Sequence, residues 1–402
     1  MKTSYCMRAR VLPTVIALSL AILVAMLGII ALWEQENRKV LRAVYRRTSL
    51  ANLESAYTLY CNAPHATDTI KGNFVRLYDS VPYGDTHISV KPWGLYDAVF
   101  LSTPDSVFRQ CRLTGERANG ATLYYADNGS VLTVSGRCEL RGMLRLPCNG
   151  LRYGRMRDKV YCGSVIPQTR IGISDEKMPA IRQSAAENIR RLLEVGADDE
   201  YTPIPDSVRV SFVRDSTLRL RLGSAIVSDC RLYGNIRLDA DELHIDSTCR
   251  MENVVICARN VSIADGTNMS AQIFARDTVV IGKRCTLGYP SGIYAESYAE
   301  LGDCSTVNGY AIVRASPSEK QISPSYKQAV TARVRGLLWV EGRAQLQGIV
   351  SGRAVLERAY IYTPHGYYKD MVCDASVLEN DVTVQPRWME ADTLGKEVVW
   401  LY

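Results

Sequence analysis

The sequence is poor in the residues that most catalytic and metal-binding motifs require. It contains only four histidines, and its twelve cysteines form no CxxC pair and match no zinc-ligand spacing. No GxSxG, HExxH, P-loop or GxGxxG motif occurs in the context that its chemistry requires. No block of Lys or Arg lies among aromatic residues, which argues against nucleic-acid binding. We therefore predict no catalytic, cofactor-binding or metal-ligating residue, no cofactor and no nucleic-acid partner.

The composition is that of a chain which buries a core. It is 47% apolar and 22% charged, so it is not disordered. Tyr outnumbers Phe by 23 to 5, as on sheet faces that keep one edge of each ring in water. We interpret most cysteines as small apolar core residues. If the chain is exported, close pairs such as Cys138 and Cys148 are candidate disulfides, whose connectivity the sequence leaves open.

The N-terminus predicts a membrane anchor. The uncharged segment from Val11 to Trp33 would span roughly 35 Å as a helix, enough for the bilayer core. It is longer than the apolar region of a cleavable signal peptide, so we expect no processing and a mature chain that begins at or near Met1. Arg8 and Arg10 favour a cytoplasmic N-terminus with the bulk outside, whereas basic residues after Trp33 favour the reverse. We predict a single-pass inner-membrane protein with an extracytoplasmic body.

A helical stalk is predicted to follow the anchor. The segment from Glu34 to Tyr60 lacks Gly and Pro. One face at helical spacing contains Leu41, Val44, Tyr45, Thr48, Asn52, Ala56 and Leu59.

The basic start, the "VLP" that begins the apolar helix and the later "NLESAYTLY" resemble the large minor pilins and the K-like pseudopilins of type II secretion. The resemblance covers about the first 60 residues and implies assembly with other proteins at the inner membrane. A generic signal anchor is the alternative.

Short strands and turns dominate the rest of the chain. Asn73 to Leu101 predicts a small unit of three or four strands, in which Trp93 and Gly94 form a turn with a packed indole rather than a binding edge. Glu176 to Val195 has helical periodicity and predicts one inserted helix that ends at Gly196.

Repeated phrases predict the architecture. "ICARNVSI", "IFARDTVVI" and "IYAESYAEL" start at Ile256, Ile273 and Ile293, each with Ala third and with glycine in the turn that follows. A period of 17–20 residues with short strands is typical of one coil of a β-solenoid, whose coils stack to share a core. A β-sandwich is the competing architecture.

Two similar stretches lie far apart in the sequence. "LTVSGRCELRG", which begins at Leu132, resembles "LWVEGRAQLQG", which begins at Leu338. We expect equivalent rungs, with Val134 matching Val340 and Leu140 matching Leu346.

The region from about Ser224 to Glu379, with phrases such as "GRAQLQGIVSGRAVLE", resembles the bactofilins, bacterial β-helices that form polymers. This resemblance implies a β-helical fold and self-association.

The polar candidates have structural explanations. Ile281, Leu287 and Ile293 are six apart, as in hexapeptide acyltransferases, but no such repeat surrounds His244, which we interpret as a tolerated strand residue. His365 is expected in a surface loop. Asp239, Asp241 and Asp246 are expected in turns and on solvated faces, not as the acids of a polysaccharide lyase or hydrolase.

The sequence thus predicts a mainly β protein: a β-solenoid with an N-terminal transmembrane helix and stalk, a small β unit and one inserted helix. The predicted divisions are residues 1–60, anchor and stalk; 61–125, small β unit; 126–200, first repeat segment with the helix; and 201–402, solenoid body with a C-terminal cap. The predicted function is a non-catalytic structural or assembly protein of the cell envelope. Its partners would be the lipid bilayer and other proteins or further copies of itself. The alternative is a membrane-anchored carbohydrate-acting or carbohydrate-binding protein.

Overall fold

The computed structural model describes residues 11–62, 74–76, 85–117, 120–194, 201–314, 323–380, 384–390 and 395–401. The protein is mainly β, with a long N-terminal helix and a shorter second helix, as the sequence predicts. Helix α1 is Val11–Asn62, and α2 is Gln183–Leu193. The inserted helix is therefore shorter than predicted, and its predicted end at Gly196 lies outside the described residues, as do Met1, Arg8 and Arg10.

Thirty strands complete the described structure. In chain order they are β1 Phe74–Arg76, β2 Asp85–Trp93, β3 Tyr96–Ser102, β4 Arg109–Arg117, β5 Leu123–Tyr125, β6 Leu132–Ser135, β7 Glu139–Leu140, β8 Leu144–Leu146, β9 Leu151–Tyr153, β10 Arg155–Met156, β11 Lys159–Val160, β12 Ile171–Ile173, β13 Ser207–Val210, β14 Leu218–Arg221, β15 Ala225–Val227, β16 Arg231–Asp239, β17 Glu242–Ile245, β18 Arg250–Ile263, β19 Asn268–Ile281, β20 Thr286–Ala295, β21 Tyr298–Leu301, β22 Thr306–Arg314, β23 Tyr326–Gln328, β24 Arg333–Gln345, β25 Gly348–Thr363, β26 Gly366–Lys369, β27 Met371–Cys373, β28 Ala375–Leu378, β29 Val384–Gln385 and β30 Gly395–Leu401.

Helix α1 is continuous over 52 residues, so the apolar segment passes directly into the predicted stalk. It is long and apolar enough to cross a membrane. The last turns of α1 pack against the body, where Ser49, Asn52, Leu53, Ala56, Tyr57 and Tyr60 are buried. Before them, the ring of Tyr45 lies 5.9 Å from that of Phe108, between centroids. The predicted stalk face is therefore only partly right. Asn52 and Ala56 are buried, but Leu41, Val44 and Leu59 are exposed because the body contacts the helix on a different stripe near its end.

The end of α1 packs against an antiparallel sheet. Strands β1, β2, β3 and β4 follow one another in the sheet, and β29 and β30 both pair with β4. The predicted small β unit is thus completed by strands from the C-terminus, which local sequence patterns could not reveal. Ile88, Val99 and Leu101 of this sheet form a core with Leu53 and Tyr57 of α1.

Most of the other strands pair in parallel in one closed sheet, which we call the parallel stack (β5, β7, β8, β12–β25 and β28). Along much of the stack, each residue pairs with a residue 17–20 positions later in the chain. We call each such circuit of the chain a rung, and each rung adds strands beside those of the previous one. Ile256, Ile273 and Ile293 lie directly beside one another, as their repeated phrases predict.

The rungs are not in simple chain order. Strand β25 is followed in the stack by β5, which pairs Ala354 with Leu123, and β8 and β12 come next. Residues 123–173 therefore extend the stack beyond its C-terminal strands. The predicted segments 126–200 and 201–402 thus both contribute strands to this sheet.

The strand in the middle of each rung is buried on both faces. One face lines the interior, where Leu238, Ile256 and Ile293 belong to the main core. The other face presents Phe274, Tyr294 and Trp339, among others, to α2 and the antiparallel sheet. Burial on both faces explains why phrases such as "VVICA" and "GLLWV" are apolar without alternation.

Val134, Val340, Leu140 and Leu346 all belong to the main core, as expected, but the expected pairs do not occupy equivalent places. Leu140 lies beside Val377, which lies beside Val350 and not Leu346, and Val340 lies beside Leu356. Val134 pairs instead with Val372. The two stretches have similar sequences because inward-facing residues and glycines with positive φ recur at the same spacing in both. The four glycines at positions 136, 142, 342 and 348 all have positive φ.

The predicted C-terminal cap is also wrong. Strands β29 and β30 lie in the antiparallel sheet and not across the end of the stack. The end of the stack after β28 is covered by β5–β8 instead.

Candidate functional site: the joint between the helix and the body

Arg112 is the centre of the contact between α1 and the antiparallel sheet. Its side chain is 2% exposed on β4, and it forms ion pairs with Glu54 of α1 and with Glu397 of β30, the latter at 3.1 Å. The guanidinium also lies over the rings of Tyr57 and Trp400, 4.5 and 4.0 Å from their centroids. One cation thus joins α1 to strands β4 and β30 of the antiparallel sheet.

The charges of this joint are mutually stabilised. The hydrogen bond from Arg112 lowers the pKa of the Glu54 carboxyl, while burial opposes that shift. Burial disfavours the cation of Arg112, but its hydrogen bond and charge contact with Glu54 outweigh this and raise its pKa. Beside them, Tyr57 and Thr114 share a hydrogen bond of 3.0 Å.

A second, partly buried cation lies beside the last turn of α1. Arg387 contacts Asp97 of β3 at 2.8 Å, and its guanidinium lies 5.4 Å from the centroid of Tyr60. The Tyr60 hydroxyl donates a hydrogen bond of 3.1 Å to the same carboxylate. We call Glu54, Tyr57, Tyr60, Arg112, Arg387 and Glu397 the anchor joint.

Polar side chains of the stack also hold α2 in place. Asp239 is 1% exposed and pairs with Arg219 and Arg237. Arg237 donates a hydrogen bond of 2.8 Å to the Leu192 carbonyl, and Arg276 donates one of 2.7 Å to the Leu193 carbonyl. Both arginines thus satisfy backbone carbonyls at the C-terminal end of α2. The expectation that Asp239 lies in a turn or on a solvated face is therefore wrong.

A buried glutamine holds the β2–β3 turn on the stack. Gln272 accepts a hydrogen bond from the Leu95 amide at 2.9 Å and donates one to the Trp93 carbonyl at 3.0 Å. The Trp93 ring packs edge-on against Phe212, with centroids 5.0 Å apart. Trp93 and Gly94 thus form a packed turn, as predicted, and Gly94 has the left-handed φ of +62° that this turn requires.

His244 lines a shallow groove on the outer face of the last strands of successive rungs. The groove has a volume of about 380 Å³, and its lining includes Glu242, Asn260 and Thr278. His244 Nδ1 lies 2.8 Å from the Ser262 hydroxyl, which satisfies one ring nitrogen. Further along this face, Glu300 pairs with Lys327 at 2.7 Å, so the two groups neutralise each other.

The remaining sequence candidates are dispersed. His365 is exposed at the tip of the β25–β26 hairpin, as predicted. Asp241 is exposed, and Asp246 accepts a hydrogen bond from the Thr248 amide, which lowers its pKa. Ile281, Leu287 and Ile293 all point into the main core, so their spacing of six reflects packing.

The described cysteines are unpaired thiols, and most are buried. Cys138 lies in the core while Cys148 is exposed, so this candidate disulfide is absent from the structure. Within the described ranges, no group of three or more His, Cys, Asp or Glu side chains could hold a metal ion.

Sequence reasoning missed the buried polar residues. Gln272 stands within the apolar phrase "AQIFA", where a buried polar residue could have marked an interface between elements. Arg112 and Asp239 lie in the polar phrases "RQCRLTGER" and "RLYGNIRLD", which give no such signal. Their partners are up to 285 residues away in the chain, which no local pattern reveals.

Comparisons of the chain with protein-family models, with curated proteins and with solved structures find no match.

Proposed function

We propose that this chain is a membrane-anchored structural or assembly protein of the bacterial cell envelope, and that it is not an enzyme. The observation that carries the proposal is the anchor joint. The buried Arg112 and the partly buried Arg387 join a helix long enough to cross a membrane to the β body, through Glu54 and through the ring of Tyr60, which suits a part that transmits position or force. The polar groups described above are engaged with one another and do not converge on a reactive centre.

We also propose that the parallel stack is a β-solenoid. The register advance of 17–20 residues along much of the stack and the closed parallel pairing support this architecture over a β-sandwich, whose strands would pair mainly antiparallel. Such a body has long flanks and two ends that can meet other proteins or further copies. Partnership with pilin-like or bactofilin-like assemblies is part of this proposal and rests on the sequence resemblances alone.

The proposed placement is the inner membrane with the body outside the cytoplasm. Protease added to spheroplasts should digest the body. Complete protection of the body until the membrane is lysed would contradict this orientation.

The assembly role is tested by crosslinking in isolated membranes. We expect the full chain to be recovered with a reproducible set of envelope proteins, or with itself, in ratios that do not change with expression level. Turnover of a glycan or an acyl donor by the purified protein, lost on His244→Ala, would contradict the non-catalytic function.

Carbohydrate binding is the second candidate, and one surface favours it. Tyr360, Tyr362 and Tyr367 cluster on the β25–β26 hairpin with centroids about 6 Å apart, and Tyr367 is 40% exposed. Arg343 lies 5.5 Å from the centroid of Tyr360. Aromatic rings beside a donor can stack on sugars, so Tyr367→Ala should weaken sedimentation with envelope polysaccharide if this function holds. Exposed Tyr201 provides the matched control substitution.

A further inference from the structure

A column of small buried residues runs along one corner of the parallel stack. Each member immediately precedes the first strand of its rung, or opens it, and its side chain is buried. We call this set the corner column, and its members are Cys230, Cys249, Thr267, Cys285, Ser305, Ala332, Ala375 and Cys138.

Thiols and hydroxyls in this column both donate hydrogen bonds to backbone carbonyls. The Thr267 hydroxyl donates to the Ala264 carbonyl at 2.7 Å, and the Ser305 hydroxyl donates to the Gly282 carbonyl at 2.6 Å. The Cys285 thiol donates to the Ala264 carbonyl at 3.1 Å. Serine is therefore a conservative replacement for cysteine at this corner, which makes the column suitable for substitution experiments.

Two thiols stand on adjacent rungs at one point of the column. Arg231 pairs directly with Arg250, so Cys230 and Cys249 are neighbours, and their sulfur atoms lie 3.6 Å apart. Neighbouring strands are about 4.8 Å apart, which falls in the usual Cα separation of disulfides. A small side-chain rotation would bring the sulfurs to bonding distance, whereas Thr267 and Ser305 separate Cys285 from any thiol in the column.

We propose that Cys230 and Cys249 form a disulfide when the folding chain meets a thiol–disulfide oxidant. The Cys249 thiolate attacks one sulfur of an external disulfide and releases the other as a thiol. The Cys230 thiolate then displaces the second thiol as the bond between the two cysteines forms. The protein loses two hydrogens, and the external disulfide gains two electrons and two protons.

The environment of the pair agrees with this order of attack. The hydrogen bond from the Cys230 thiol lowers the pKa of Cys249, which favours its thiolate as the attacking sulfur. The same interaction raises the pKa of Cys230.

The bond would link two rungs near the end of the stack that begins with β13. Strand edges at such an end open more readily than those in the middle. A disulfide there restricts the unfolded chain and resists fraying, so the oxidised protein should melt at a higher temperature than the reduced one. The formation of the bond does not depend on the proposed function or placement, because it is tested on purified protein.

The test uses two tryptic peptides. The full chain in detergent is unfolded, reduced and refolded with reduced and oxidised glutathione, then alkylated and digested without reductant. Cys230 lies in the peptide Leu222–Arg231 and Cys249 in Leu238–Arg250, and each peptide contains one cysteine. We expect these peptides as a linked pair in most molecules, and reduction should separate them.

Matched variants decide the outcome. Cys230→Ser and Cys249→Ser should each abolish the linked pair, whereas Cys285→Ser, in the same column, should leave it intact. Full alkylation of both peptides under oxidising conditions would overturn the proposal. Loss of the pair in Cys285→Ser, or equal bonding of Cys230 to other cysteines, would do the same.

Discussion

Arg112 contacts three parts of the protein through one side chain. Its charge is neutralised by Glu54 and Glu397, and its flat guanidinium fills the space between Tyr57 and Trp400. A lysine could not reproduce both the paired hydrogen bonds and the stacking. The helix, the sheet and the C-terminal strand therefore depend on one another at this residue.

Replacing Arg112 with Ala should lower the free energy of unfolding by about 3 kcal/mol, because it removes buried packing as well as the ion pairs. Urea denaturation of the full chain in detergent measures the loss. Arg109→Ala on the same strand is the control, since Arg109 is exposed and should matter little. Equal effects of the two substitutions would show that the joint does not depend on Arg112.

The Glu54 carboxylate should make the joint sensitive to acid. Its pKa is lowered in the folded protein, so its contribution is complete above the ordinary value of 4.5 and is lost as pH falls through the lowered value. The melting temperature of the wild type should therefore fall more steeply below about pH 4.5 than that of Glu54→Gln. Parallel curves for the two proteins would contradict this role. Glu34→Gln, in an exposed part of α1, serves as the control.

At the scale of elements, the periodicity of the sequence predicts the register between rungs that follow one another in the chain. The strand phrases that begin at Ile256, Ile273 and Ile293 were placed in the correct mutual register because each rung repeats the same inward positions. The order of the rungs could not be predicted, since pairing of Ala354 with Leu123 depends on the chain path and not on either phrase. The joint of α1 was missed for the same reason, because its partners come from β4 and β30.

Strand β30 should be required for the antiparallel sheet. It covers the edge of β4 and places Leu401 in the core between the outer face of the stack, α2 and the antiparallel sheet. Deleting residues from Gly395 onward would therefore expose an unpaired strand and apolar surface. We expect faster proteolysis of residues 85–117 and concentration-dependent aggregation by light scattering. Replacing Pro364 and His365 by Asn-Gly at the exposed β25–β26 turn is the control. A truncated protein as monomeric and protease-resistant as this control would show that β30 is dispensable.

At the scale of the whole molecule, the last turns of α1 and the last described strand, β30, meet at one sheet. The N-terminal helix packs on one face of the antiparallel sheet, and the outer strand faces of the stack pack on the other. The last strand returns to β4 after the chain has built the stack. The β body is thereby fixed to the helix at several points, which suits a scaffold held at a membrane.

The proposed assembly role is tested most directly by the yield of crosslinked complexes in membranes from cells whose own copy is replaced by a variant. We expect the variant carrying His244→Ala, Glu242→Gln and Glu300→Gln to form the wild-type complexes and to support normal envelope integrity. We expect Arg112→Ala to reduce both at equal protein level. Loss of envelope integrity in the first variant, with complexes intact and no effect of Arg112→Ala, would contradict this role.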